Sequence, residues 1–178
     1  MSRHSERLME IYDKQGRLED YKEELRTYIW DYWNDNLDSL MLLKEVSTDQ
    51  EWIEFREHYL NDRGRLYRFE LMNQEQLFGR LLEEILSSHF KRLDLIDCYE
   101  EGLKSYDPYR VRDVILDEIQ HGMESVSGRD TYRYLISYLK VLEDYPDGKV
   151  ISQKVAARWK KDYPRRKAML EELRKAGF

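Results

Sequence analysis

Cysteine is almost absent from this chain. Cys98 is the only one among 178 residues, which excludes an internal disulfide and any zinc site or iron–sulfur cluster built from several cysteines. Long apolar runs are missing too, since nothing approaches the roughly 18 consecutive apolar residues of a membrane span. Met1 to Glu10 is charged and holds no apolar run, so a secretory signal is not expected. No stretch is rich enough in Pro, Gly or Ser to act as a linker, and residues 1–178 read as a single helical-repeat-like domain. There is no Gly-x-Ser-x-Gly elbow, no P-loop and no Gly-x-Gly-x-x-Gly turn. A non-catalytic, soluble, cytoplasmic protein with no cofactor, no metal and no membrane partner is the resulting expectation. An enzyme assembled from scattered carboxylates and tyrosines would leave no linear motif and stays open at this stage.

What the chain does have is charge and aromatic surface. Charged residues make up 37% and hydrophobic residues 41%, with four Trp and fourteen Tyr, a composition that can fill a core and argues against disorder. The net charge of −6 is unevenly spread. Lys149 to Phe178 holds ten basic and three acidic residues, or +7, whereas Met1 to Gly148 holds 20 basic and 33 acidic, or −13. That polarity is the most unusual global feature of the sequence.

Apolar residues recur at helical spacing almost throughout, and strand-like alternation is missing. Leu8, Ile11 and Tyr12 begin a first helix that ends near Gln15-Gly16; Tyr21, Leu25, Tyr28 and Ile29 mark a second, and Leu40, Leu43 and Val46 a third. Thr48-Asp49-Gln50-Glu51 has the spacing of a capping box, ahead of a helix with Trp52, Phe55 and Tyr59 on one face. Further helices are expected from Leu66 to Met72, through Leu77, Leu81 and Ile85, and, as one element, through Leu95, Ile96, Tyr99 and Leu103. Asp107-Pro108 reads as an N-cap followed by Pro at the first helical position, opening a helix with Val111, Ile115 and Ile119 inward. Tyr132, Leu135, Ile136, Leu139 and Leu142 form the clearest apolar face. Tyr145-Pro146-Asp147-Gly148 then reads as a helix–helix connection rather than a hairpin turn, because its flanks are helical in period. Ile151, Val155 and Trp159 mark a penultimate helix, and Pro164 is expected to open the last, with Met169, Leu170 and Leu173 inward. About eleven short helices result. The predicted fold class is all-α: antiparallel helical hairpins stacked as a short tetratricopeptide-like α-solenoid, with a closed multi-helix bundle as the alternative.

The segment from Tyr132-Arg133-Tyr134 through Pro146-Asp147-Gly148 to Tyr163-Pro164-Arg165-Arg166-Lys167 and Leu173 resembles the end of the helical C-terminal region of SWIM zinc-finger proteins, where tetratricopeptide-like hairpins close on an Arg-Arg-containing helix. The SWIM motif itself is Cys-x-Cys followed by Cys-x-His, which Cys98 alone cannot supply, so no zinc-binding residue carries over. The resemblance implies a helical part without its finger, and partners among proteins or nucleic acids.

Several residues stand out as candidates. Glu118-x-x-His121 is half of a di-iron helix motif, but His4, His58 and His89 lack a Glu three residues earlier, so a surface pair is the expectation. Cys98 has no nearby base or cation to activate it and is expected to be buried and structural. Tyr28, Trp30, Tyr32 and Trp33 could form a stacking or anchoring platform, or pack a helix covered on two sides. Arg158, Lys161, Arg165, Arg166 and Lys167, with Lys154 and Lys160, could hold an acidic partner or phosphates, or complement the chain's own acidic part. These features point to a protein–protein interaction module or scaffold with an unknown protein or peptide partner. The alternative is a nucleic-acid-binding accessory domain that uses the basic C-terminal helices. Far-ultraviolet circular dichroism should be dominated by helix; substantial strand signal would overturn the fold class.

Overall fold

The computed structural model describes residues 2–31, 36–88 and 92–178. Among the described residues there are twelve α-helices and no strand, so the protein is all-α. It forms two compact units, Met1–Leu77 and Phe78–Phe178, and within each unit helices pack on neighbouring helices.

The first unit holds α1 (Ser2–Lys14), α2 (Leu18–Asp31), α3 (Leu37–Val46), α4 (Asp49–Asn61) and α5 (Arg68–Gln74). The turn between α1 and α2 closes with the Arg17 N–H donating to the Tyr12 carbonyl at 2.9 Å, and the two helices form a hairpin that buries Leu25 and Ile29. Asn36 caps α3 by accepting from the Ser39 N–H at 2.8 Å. The capping box at α4 is present in full: the Thr48 hydroxyl accepts from the Glu51 N–H and the Glu51 carboxylate accepts from the Thr48 N–H. A cap of this type contributes about 1 kcal/mol.

Three elements of this unit converge on one carboxylate. The Glu75 side chain, only 6% exposed, follows α5 and accepts from Lys44 of α3 at 2.7 Å and from Trp52 Nε1 and Arg56 of α4 at 3.0 and 3.1 Å. Burial alone would raise its pKa, but these three donors outweigh it and hold the carboxyl below its ordinary value. Residues before α5 depart from the sequence pattern. Leu66 was expected inside a helix, yet α5 begins at Arg68 and Leu66 is exposed. Asp62 draws the chain into a turn instead, accepting from the Gly64 N–H at 3.0 Å and from Arg65 Nε at 3.1 Å.

The second unit holds α6 (Phe78–Ser87), α7 (Arg92–Cys98), α8 (Glu100–Tyr106), α9 (Pro108–Ser125), α10 (Arg129–Leu142), α11 (Gly148–Asp162) and α12 (Lys167–Lys175). The stretch expected as one helix from Leu95 to Leu103 is two, broken at Tyr99, whose backbone leaves the helical region and whose N–H donates to Ile96. The break lets α8 press against α6, where a Cβ on Gly102 would overlap the Phe78 ring and one on Gly79 would meet the Tyr106 hydroxyl. Asp107 caps α9 with Pro108 at its start, and Val111, Ile115, Ile119 and Met123 are fully buried along it.

Helix α10 touches α9, α11 and α12, and α9 in turn touches α7 and α8. Tyr132, Leu135, Ile136, Leu139 and Leu142 are all buried, as their spacing implies. The Tyr145–Gly148 segment connects α10 to α11, with Asp147 in the left-handed region at φ 58°. The last helix opens later than Pro164, at Lys167, because the Arg166 N–H turns back to Tyr163 at 3.1 Å and Arg166 is non-helical. Met169 and Leu173 are buried and Leu170 only half so.

Glu51 and Glu171 are held at about 2, the former by the Thr48 N–H and Lys22, the latter by Arg129 and Lys175. Their folded values lie below the unfolded value of 4.5, so the stability they contribute is complete above that value and is lost as pH falls towards about 2. Thermal midpoints should hold from pH 7 to about 5 and then fall continuously. A midpoint unchanged down to pH 2 would show that these pairs do not stabilise the fold.

Candidate functional site

The basic C-terminal segment becomes α11, a turn and α12. Val155, Ala156, Trp159 and Ser152 face inward on α11, which leaves Lys154, Arg158 and Lys161 outward at spacings of four and three residues, one stripe along the helix. All three are exposed, as are Lys149, Lys160, Arg165 and Lys167. Arg158 makes a 3.3 Å ion pair with Asp162. The others have no ion pair among the described residues.

The three carboxylates of the same segment are all engaged. Asp162 pairs with Arg158, and Glu171 with Arg129 at 2.7 Å and Lys175 at 3.2 Å. Glu172, 5% exposed, receives Arg129 at 3.0 Å, Arg133 at 3.3 Å and Lys175 at 3.0 Å. Lys175 and Arg133 keep its pKa below the ordinary value against the effect of burial. Glu171 and Glu172 of α12 are therefore taken up by Arg129 and Arg133 of α10 and by Lys175, and Asp162 by Arg158, while most of the bases face water without a partner.

Arg165 and Arg166, adjacent in sequence, do different things. Arg165 is exposed in the turn. Arg166 is half-buried: its Nη1 donates to the Met123 carbonyl in the last turn of α9 at 2.6 Å, and its guanidinium lies 4.1 Å over the Tyr163 ring. It ties the α11–α12 turn to α9 and is not free for a partner.

The aromatic candidates sit in the first unit. Trp30 is half-buried on α2; the Arg65 guanidinium lies over its ring at 4.0 Å and the His58 ring stacks on it at 4.5 Å. Phe55 and Tyr59 meet it edge-on at 6.0 and 6.3 Å, so much of the indole is satisfied by its own unit. Tyr28 donates to Glu6 at 3.2 Å. Trp33 and Tyr32 lie outside the described residues, and so does His89.

Cys98 is exposed, against the expectation of burial. Leu93 and Ile96 supply the inward face of α7, and a residue two positions beyond Ile96 points roughly 200° away from it. Glu118 is engaged by Arg92 at 2.7 Å. Among the described residues no cluster of three or more His, Cys, Asp or Glu could hold a metal ion, and no helix is long and apolar enough to cross a membrane.

One arrangement escaped the sequence reading. Tyr134 and Tyr138 of α10 donate to Asp94 and Asp97 of α7, and Tyr145 donates to Glu100. Burial first, and then the facing Asp97, raises the Tyr138 phenol far above its ordinary range; burial and Glu100 do the same to Tyr145. These phenols stay protonated as donors and are not poised as bases. The three-residue spacing of Asp94, Asp97 and Glu100 was the available signal. No protein family, no curated protein and no solved structure matches the chain.

Arg166→Ala should cost about 1–3 kcal/mol in urea unfolding, because it removes a charge-assisted hydrogen bond and a cation–π contact. Arg165→Ala should stay within about 0.5 kcal/mol. Equal effects of the two changes would contradict the division of roles described here.

Proposed function

We propose that the protein is a non-catalytic interaction module that binds an acidic segment of another protein on the outward face of α11 and the turn before α12. One observation carries this reading: the acidic residues of the C-terminal segment are consumed in internal ion pairs, whereas Lys154, Lys161, Arg165 and Lys167 face water without one. Clustered unpaired cations raise the local positive potential, which stabilises an acidic partner and draws it in over about 8–10 Å at physiological salt. Arg158 and Arg165 add planar donors suited to bidentate contact with carboxylates. The likeness of this segment to the helical end of SWIM zinc-finger proteins belongs to the same proposal, with the finger's own role left out. Nucleic acid is the second candidate ligand for such a ridge, but a chain of net charge −6 repels a polyanion elsewhere on its surface.

The test uses the full chain and a fluorescein-labelled glutamate-rich peptide, followed by anisotropy. Lys161→Glu with Arg165→Glu should weaken binding about tenfold or more, while the helical signal and the urea midpoint stay at the wild-type value because neither side chain is buried. Arg166 is left intact, since its loss would confuse binding with stability. Undiminished binding by the folded double variant would remove this ridge. Tighter binding of duplex DNA or single-stranded RNA than of the peptide, abolished by modest salt, would replace the protein partner with nucleic acid.

A further inference from the structure

A second surface lies within the first unit, where the α1–α2 turn meets the second half of α3. Tyr12 and Asp13 from the end of α1, Leu18 and Tyr21 from the start of α2, and Leu42 and Val46 from α3 line a cleft of about 310 Å³. Its lip is apolar and wet: Leu18 is 50% exposed and Leu42 39%. Helix α3 already buries Leu40 and Leu43, so Leu42 and Val46, one turn apart, are apolar beyond what its own packing uses. An apolar surface of this kind, walled by two tyrosines and rimmed by charge, is what a ridge of side chains on a docking helix fills.

Charge decides the kind of helix. The cation in the cleft, Arg17, is already satisfied, paired with Asp20 at 2.8 Å and stacked over Tyr12 at 4.7 Å. Asp13 has no ion pair among the described residues. Residues 1–77 hold 11 basic and 18 acidic side chains, a net charge of −7, so an acidic ligand is repelled and a basic one attracted. A symmetric contact with a second copy would bring Asp13 and its acidic surroundings against themselves. Burial and then the Asp13 charge raise the Tyr21 phenol above its ordinary value, so the Asp13 charge is felt inside the cleft.

We propose that this cleft docks an amphipathic basic helix of a partner protein, with an apolar side chain seated on Leu18, Leu42 and Val46 and a neighbouring Lys or Arg paired with Asp13. The site is separate from the basic ridge of α11 and opposite in charge preference, so the two can fail independently.

The experiment titrates the full chain with a fluorescein-labelled amphipathic peptide carrying Leu at i and i+4 and Lys beside them, and with a twin in which every Lys is Glu. The basic peptide should bind, and Leu42→Asp or Asp13→Lys should each weaken it about tenfold. Asp13→Lys should also bring the acidic twin from weak to measurable binding. Lys161→Glu with Arg165→Glu should leave the basic peptide's affinity unchanged. Both cleft residues are exposed at the lip, and circular dichroism checks that each variant is folded. Methyl NMR shifts confined to Leu18, Leu42 and Val46 would support the site. Equal affinity for the two peptides, or shifts centred elsewhere, would overturn it. So would a wild-type chain that self-associates in sedimentation and becomes monomeric with Leu42→Asp, since a second copy would then be the occupant.

Discussion

A carboxylate removed from water must be met by cations and donors or it destabilises the fold, and in each unit one such carboxylate, met in full, joins several helices. In the first unit it is Glu75, which gathers Lys44, Trp52 and Arg56 and so links the end of α5 to α3 and α4. In the second it is Glu172, which gathers Arg129, Arg133 and Lys175 and fixes α12 to α10. Both are better regarded as constraints on geometry than as large net contributors, since a buried pair roughly balances its desolvation cost. Their functional consequence is indirect. By taking up cations of α10 and α12, Glu172 and Glu171 leave the bases of α11 a single carboxylate of the C-terminal segment, Asp162, which pairs with Arg158.

The two surfaces singled out differ in what made them available. On α11 the ridge exists because the inward face is filled by small and apolar groups, and every remaining position except the half-buried Ile151 points to water. In the first unit the cleft exists because α3 carries more apolar residues than a ten-residue helix with one buried face can hide. One surface is an excess of charge, the other an excess of apolar area. Neither requires a catalytic group, and the strongly shifted phenols of Tyr138 and Tyr145 are donors fixed in structure.

Much of the architecture was legible from the chain alone, where local chemistry and long-range packing agree. The Thr48 capping box, the Asp107-Pro108 start and the apolar stripe of α10 each specify their own outcome within a few residues. Three features were not. Tyr99 breaks a helix because α8 is drawn onto α6, a contact between residues far apart in sequence. Leu66 is left outside because Asp62 captures the backbone ahead of α5. Cys98 faces water because α7 is a short helix whose inward face is already occupied. The candidate ridge was visible as a run of bases, but the separation of Arg165 from Arg166 was not, since it depends on where the Met123 carbonyl ends up. The cleft left only a faint trace, the surplus of leucines in α3.

The contact between α6 and α8 has a consequence for substitution. Gly79 lies under Tyr106 and Gly102 under Phe78, so each helix supplies one hole and one knob to the other. A side chain at Gly102 would overlap three atoms of the Phe78 ring and needs that ring to move or shrink, whereas one at Gly79 meets only the hydroxyl end of the exposed Tyr106, which can swing aside. The tight position is therefore Gly102, where the packing of α8 on α6 depends on the missing side chain, and Gly102→Ala is the change at this contact that α6 and α8 absorb least well.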